Sequence, residues 1–184
     1  MQIKHFPLGY NAGMNKDSAD LVQELADRLL KQRQKVCAAE SCTGGLIAKT
    51  LTDLAGSSDW FERGFVTYSN QAKNEMLAVP VSLIEDYGAV SEAVATAMAS
   101  GALRHSRADF AVAVTGVAGP GGGSDEKPVG TVWIALASAE QMLAKLYQFD
   151  GDRQAVREAT LIAAIEGLLG LVESEQARPD LSAG

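Results

Sequence analysis

The sequence predicts a three-layer α/β/α sandwich around a mixed, mostly parallel sheet. Three observations predict it. Helical and strand periodicities alternate from Ser18 to Thr115, the order that lays helices over both faces of a parallel sheet. The last two strand patterns, residues 129–137 and 142–149, are separated only by residues 138–141, which fits an antiparallel hairpin and makes the sheet mixed. Two glycine-rich turns follow strand patterns, at the carboxyl ends where such sheets hold ligands.

Taken in order, residues 1–16 read as an irregular arm, because Pro7, Gly9, Asn11 and Gly13 break any period. From Ser18, the expected N-cap, Leu21, Val22, Leu25, Ala26, Leu29 and Leu30 recur at helical spacing. Residues 36–39 read as a short buried strand. Residues 43–54 read as a helix that starts from the Gly44-Gly45 turn, with Ser41 and Thr43 as capping residues. A strand over 64–69 precedes a helix over 70–78, which ends ahead of Pro80, and 82–87 make a short helix closed by Gly88. Ser91 caps a helix with Val94, Met98 and Leu103 inward. Residues 110–115 form the strand before the hairpin, and Asp152 caps a long amphipathic helix reaching about residue 173. A single domain over 17–175 is expected, with 176–184 as a frayed tail.

The bulk composition bounds the function. A chain of 184 residues with 47% hydrophobic and 21% charged residues suits one globular domain with a real core. A net charge of −7 argues against a nucleic-acid partner, which needs a basic face. No apolar run has the length of a membrane span, and residues 1–16 lack a signal-peptide layout, so a cytoplasmic protein with no membrane partner is expected. Cys37 and Cys42 are too few for a zinc site; Cys42 at a helix start is either a low-pKa nucleophile or a small apolar filler, and the filler is favoured. The two histidines, His5 and His105, read as surface or terminal residues. Histidine-based catalytic triads and histidine-rich metal sites are thereby set aside, and neither a metal nor an organic cofactor is expected.

The run A-V-T-G-V-A-G-P-G-G-G-S-D-E-K-P-V-G-T-V begins and ends as strand and breaks into glycines between. Gly116, Gly119 and Gly121 permit close backbone approach to an anion, and Lys127 adds a cation. The turn A-E-S-C-T-G-G-L-I-A offers similar chemistry through Ser41, Thr43, Gly44 and Gly45, which read as helix capping plus ligand hydrogen bonding rather than as a nucleophile. Neither matches the standard nucleotide-binding templates. Glu40 suits either ribose hydroxyls or a basic neighbour, and Trp60, Phe61 and Trp133 suit either a pocket or the core.

With histidine set aside, serine with lysine is the nucleophile system to consider. G-S-S-D-W-F-E-R-G-F-V-T-Y-S-N-Q-A-K holds Ser58 after a glycine, Tyr68 at a strand end and Lys73 on a first helical turn, where the dipole and burial disfavour the ammonium form. On these residues alone a turn serine and a solvated lysine remain the plainer alternative.

These two segments, with Y-G-A-V-S-E, T-G-V-A-G-P-G-G-G, E-K-P-V-G-T-V-W and F-D-G-D-R-Q-A-V-R, closely resemble the CinA C-terminal domain family, in order from about Leu21 to Leu171. The resemblance implies a stand-alone nicotinamide mononucleotide deamidase that forms nicotinic acid mononucleotide and ammonia. It implies Ser58 as nucleophile, Lys73 as its base, Tyr68 and Arg153 as further active-site residues, and Thr115 as a site residue. Arg157, four residues on, competes with Arg153 for the same role. Nicotinamide mononucleotide is the expected partner, and a homo-oligomer, with a dimer foremost, is the expected assembly. The alternative is a non-catalytic nucleotide-binding or regulatory module.

Overall fold

The structure, a computed structural model, describes residues 17–177. The expected arm at 1–16, which carries His5, and residues 178–184 of the expected tail lie outside the described residues. The elements run α1 (Ser18–Gln32), β1 (Val36–Glu40), α2 (Leu46–Thr52), a 3₁₀ turn (Ser57–Asp59), β2 (Phe61–Val66), α3 (Asn70–Leu77), α4 (Val81–Tyr87), α5 (Glu92–Arg104), β3 (Phe110–Gly116), β4 (Thr131–Ala137), β5 (Met142–Gln148) and α6 (Arg153–Gln176). The five strands form one sheet in the order β2-β1-β3-β4-β5. β1 is parallel to both β2 and β3, and β3, β4 and β5 pair antiparallel, the last two as the expected hairpin.

Alternation along the strands makes the two faces of the sheet unlike. In β1 Val36 and Ala38 face one core and Cys37 and Ala39 the other. In β3 and β4 the first face collects Phe110, Val112, Val114, Val132, Ile134 and Leu136, covered by α1, α2 and α6. Each of these large side chains contributes about 1.5–3 kcal/mol by leaving water. The second face collects alanines, Ala111, Ala113, Ala135 and Ala137, and α5 meets them with Ala95, Ala99 and Ala102. Small residues on both sides let α5 approach closely. Its Gly101 continues that logic: a Cβ there would lie 2.1 Å from the Leu77 carbonyl oxygen, so only glycine admits the end of α3. The layers therefore set where α3, and with it Lys73, stands.

Several expected boundaries shift. Ser18 is the first residue of α1 rather than its cap; Asp17 holds the cap position, and Leu30 is exposed. β2 starts three residues earlier than expected. Its outer positions Arg63, Gly64 and Val66 are exposed, because β2 is an edge strand, and this blurs its apolar pattern. α2 is shorter than expected, since left-handed Gly44 and Gly45 keep residues 41–45 out of the helix. Ser91 and Asp152 cap their helices as expected, accepting from the amides of Val94 and Ala155. Gln176 belongs to α6 rather than to a frayed tail. Among the described residues no helix is long and apolar enough to cross a membrane.

Candidate active site

Parallel pairing brings the carboxyl ends of β1, β2 and β3 to one edge of the sheet, and the candidate site forms there. β1 ends at Glu40, whose register partners are Val66 and Val114, so Ser41, Thr67 and Thr115 emerge side by side. After β2 the chain turns at Ser69, whose hydroxyl caps α3 by accepting from the Ala72 amide. Lys73 follows on the first turn of that helix, facing inward.

Lys73 is 1% exposed. Its Nζ lies 3.0 Å from Ser41 Oγ and 3.0 Å from the Thr67 carbonyl oxygen. Burial lowers its pKa below the ordinary lysine value, because an ammonium loses its hydration there; the neighbouring Cys42 opposes that shift weakly. Ser41 itself is 9% exposed. A buried lysine in contact with a serine hydroxyl, biased toward its neutral form, is the arrangement that abstracts a serine proton.

The structure does not bring Ser58 to Lys73. Ser58 lies in the 3₁₀ turn before β2, and its carbonyl accepts from Lys35 at the opposite edge of the sheet, where the Val36 amide donates to the Trp60 carbonyl. The six residues of β2 separate the two, about 20 Å of extended chain. The side chain of Ser58 is exposed. A strand cannot bring its two ends together, however close the residues stand in sequence.

The capping expectation for Ser41 and Thr43 is also overturned. α2 has no side-chain cap at Gly45. Glu40 takes that duty: fully buried, it accepts from Thr43 Oγ1 (2.7 Å) and from the amides of Gly45 (2.9 Å), Ile47 (3.1 Å) and Ala48 (2.8 Å). Neither the ribose nor the basic-neighbour reading of Glu40 survives. Burial pushes the Cys42 thiol up to about 12 and the Cys37 thiol to about 11, which leaves both as apolar filler and removes Cys42 as a nucleophile. Trp60 is core.

Tyr68 and Arg153 meet. Arg153 donates to Tyr68 Oη at 3.1 Å and to the Gly119 carbonyl at 2.8 Å, joining the start of α6 to the β2–α3 turn and the glycine loop. Arg157 donates twice to the Thr43 carbonyl, from Nη2 at 2.6 Å and Nε at 3.2 Å. Both arginines line a cleft of about 850 Å³, with Leu46, Pro120, Val129 and Gly151. Ser41 and Lys73 are not in its lining; Arg157, through Thr43, connects the cleft wall to their turn.

The other expected binding residues divide. Gly44 and Gly45 shape the serine turn with φ of +58° and +96°. Gly119 borders the cleft through Arg153, whereas Gly116 is the last residue of β3, paired with Val132. Gly121 follows the lining residue Pro120 but is not itself in the lining, and a Cβ there would meet open space. Thr115 is buried and donates to the Ala89 carbonyl, tying β3 to the loop before α5. Lys127 donates to the Tyr87 carbonyl at the end of α4, which fastens the glycine loop to that helix, and lies outside the cleft lining. Two contributors had no sequence signal that singled them out, Gly101 behind α3 and the carbonyl of Thr67. Among the described residues no cluster of histidine, cysteine, aspartate and glutamate is placed to hold a metal.

Comparison with known proteins gives the lineage. The CinA C-terminal domain model matches residues 18–172. The chain belongs to the CinA C-terminal domain family. It is similar to the nicotinamide-nucleotide amidohydrolase PncC of Pseudomonas putida, at 53% identity over 151 residues, covering 82% of this chain and 94% of that one. The Escherichia coli K12 protein of the same name is 51% identical over 149 residues, covering 80% of this chain and 90% of that one. Among solved structures, the competence/damage inducible protein CihA from Agrobacterium tumefaciens superposes with a TM-score of 0.83 at 47% identity, covering 86% of this chain and 97% of that one.

Proposed function

We propose that this chain is a nicotinamide-nucleotide amidohydrolase that converts nicotinamide mononucleotide and water to nicotinic acid mononucleotide and ammonia, with Ser41 as nucleophile and Lys73 as its base. The relatives' activity supports the reaction, and one observation supports the residues: buried Lys73 in contact with Ser41 Oγ. Neutral Lys73 accepts the hydroxyl proton as Ser41 Oγ attacks the carboxamide carbon. Its bond to the Thr67 carbonyl fixes the amine while the proton moves. The amides of Cys42 and Thr43, directly after the nucleophile, donate to no backbone carbonyl among the described residues and face only the Cys42 sulfur, a weak acceptor that the tetrahedral oxyanion would replace. Lysine then returns the proton to the departing ammonia, and water, activated by the same amine, releases the acid.

Arg153 and Arg157 supply the positive charge of the cleft, where the 5′-phosphate binds. Tyr68, held by Arg153 and next to Thr67 in sequence, links the cleft to the turn that carries the lysine. A non-catalytic module is not favoured, because binding alone gives no reason to bury a lysine against a serine. A cytoplasmic location, where phosphorylated nucleotides are retained, and a homodimer belong to the same proposal; exposed Val81, Tyr87 and Leu146 offer apolar contact surface. The test is ammonia release from nicotinamide mononucleotide in EDTA. Wild type and Ser58→Ala are expected to turn over, and Ser41→Ala and Lys73→Ala to fail. An active Ser41→Ala would move the nucleophile elsewhere.

A further inference from the structure

We propose that the buried carboxylate of Glu40 is the positioning residue of the Ser41 turn: it holds the serine hydroxyl ready for Lys73 and touches no substrate. This rests on Ser41 being the nucleophile. Glu40 is 0% exposed, yet no ion pair serves it among the described residues. Four neutral donors satisfy it instead. Oε2 accepts from Thr43 Oγ1 and the amides of Gly45 and Ile47, and Oε1 accepts from the Ala48 amide. Burying a carboxylate is costly unless its lone pairs are filled, and here they are.

The placement explains why a carboxylate from the strand is used rather than an ordinary cap. A serine at a helix start normally spends its oxygen on the amides two or three residues on. Glu40 reaches past Ser41 and takes the first free amides of α2 itself. Ser41 Oγ is thereby released from capping and is left to face Lys73 Nζ. Thr43, whose hydroxyl is spent on Glu40, is drawn inward, and its carbonyl points out to Arg157. Glu40 and Thr43, on either side of the nucleophile, are thus pinned to each other from within, while the Ser41 hydroxyl between them meets only the lysine.

Replacement by glutamine sets a side-chain NH₂ against one or more of these donors. The purified Glu40→Gln enzyme is expected to lose about 10- to 100-fold in kcat, the scale of a small misplacement of reacting groups. Its KM for nicotinamide mononucleotide is expected to stay within about twofold. Hydrogen exchange at the Ile47 and Ala48 amides, slow in wild type, speeds up in the variant. Thr43 gives a second reading should Glu40→Gln not fold: Thr43→Val loses kcat in the same direction, and Thr43→Ser, which keeps the donor, restores it. A folded Glu40→Gln with wild-type kcat, a loss confined to KM, or equal kcat for the Val and Ser variants at 43 would each overturn the proposal. Ser41→Ala, assayed alongside, separates the two failures. If it stays active, the nucleophile assignment falls; if it is dead while the Glu40 and Thr43 variants turn over normally, only the positioning role falls.

Discussion

Two serine-bearing turns stand at opposite edges of the same sheet, and almost everything about them differs. The Ser41 turn leaves the carboxyl end of β1, is nearly closed to solvent, and is fixed by Glu40 from inside, Arg157 from α6 and Lys73 from α3. The Ser57-Ser58 turn precedes the amino end of β2, lies open, and has one long contact from Lys35 to its backbone. Both follow the same composition, serines beside glycine near a strand. What separates them is direction. In a parallel sheet every strand delivers its last residue to one edge, so chemistry assembles after strands and not before them.

The sharpest way to break this comparison is to remove each hydroxyl. Ser41→Ala is expected to lower kcat by about 10³- to 10⁶-fold while still binding nicotinamide mononucleotide in calorimetry, the scale for losing a nucleophile. Ser58→Ala, the smallest effect, is expected to leave kcat and stability unchanged within about 0.5 kcal/mol. Equal losses at both positions would erase the distinction.

Between these extremes, the support behind the lysine can be moved. Gly101→Ala drives a methyl into the Leu77 carbonyl, and the expected cost is about 1–3 kcal/mol in denaturant unfolding, with a fall in kcat as α3 carries Lys73 off Ser41. A variant destabilised by that amount but fully active would show that α3 adjusts without moving the lysine.

The pH dependence of Lys73 gives a further test. Only the neutral amine is a base, so kcat is expected to rise with pH through a limb below 10.5, the ordinary lysine value. The stability effect has the same sign. Between the lowered native pKa and about 10.4 the unfolded chain binds more protons than the native one, so this residue's contribution to stability rises with pH. Below that window the penalty of burying the ammonium, or of neutralising it, is fully present. Lys73→Met is therefore expected to be inactive yet more stable than wild type near pH 7, with the gap narrowing as pH rises toward the ordinary lysine value, as read from urea midpoints. A gap that widens with pH would contradict the sign.

The order and type of nearly every element were legible, because α1, α5 and α6 carry clear helical stripes and β3 to β5 are continuous apolar runs. The edge strand β2 was misplaced, since Glu62 and Arg63 interrupt its pattern where one side meets solvent. At the candidate site, the family resemblance pointed to Lys73, Tyr68 and Arg153, and the structure brings them to one edge of the sheet. The lysine's partner was not legible. Ser58 is nearer in sequence, and Ser41 looked like a helix cap; the information that decided between them is the crossover from β1 through α2 to β2, which no local spacing records. Glu40 was equally hidden, because only the folded turn shows which amides it fills.

The placement of Arg153 and Arg157 on α6 has a consequence in time. Ser41 and Lys73 are made early in synthesis, and the whole sheet is complete once β5 has been added. The two guanidiniums that line the cleft, with Arg157 gripping the Thr43 carbonyl, arrive only with the final helix. A nascent chain that has finished its strands thus carries a serine and a lysine but lacks both the arginines proposed to anchor the phosphate and the one that steadies the turn. On the proposed assignment, hydrolysis waits for the last element, and a ribosome stalled between β5 and α6 would hold an inert precursor.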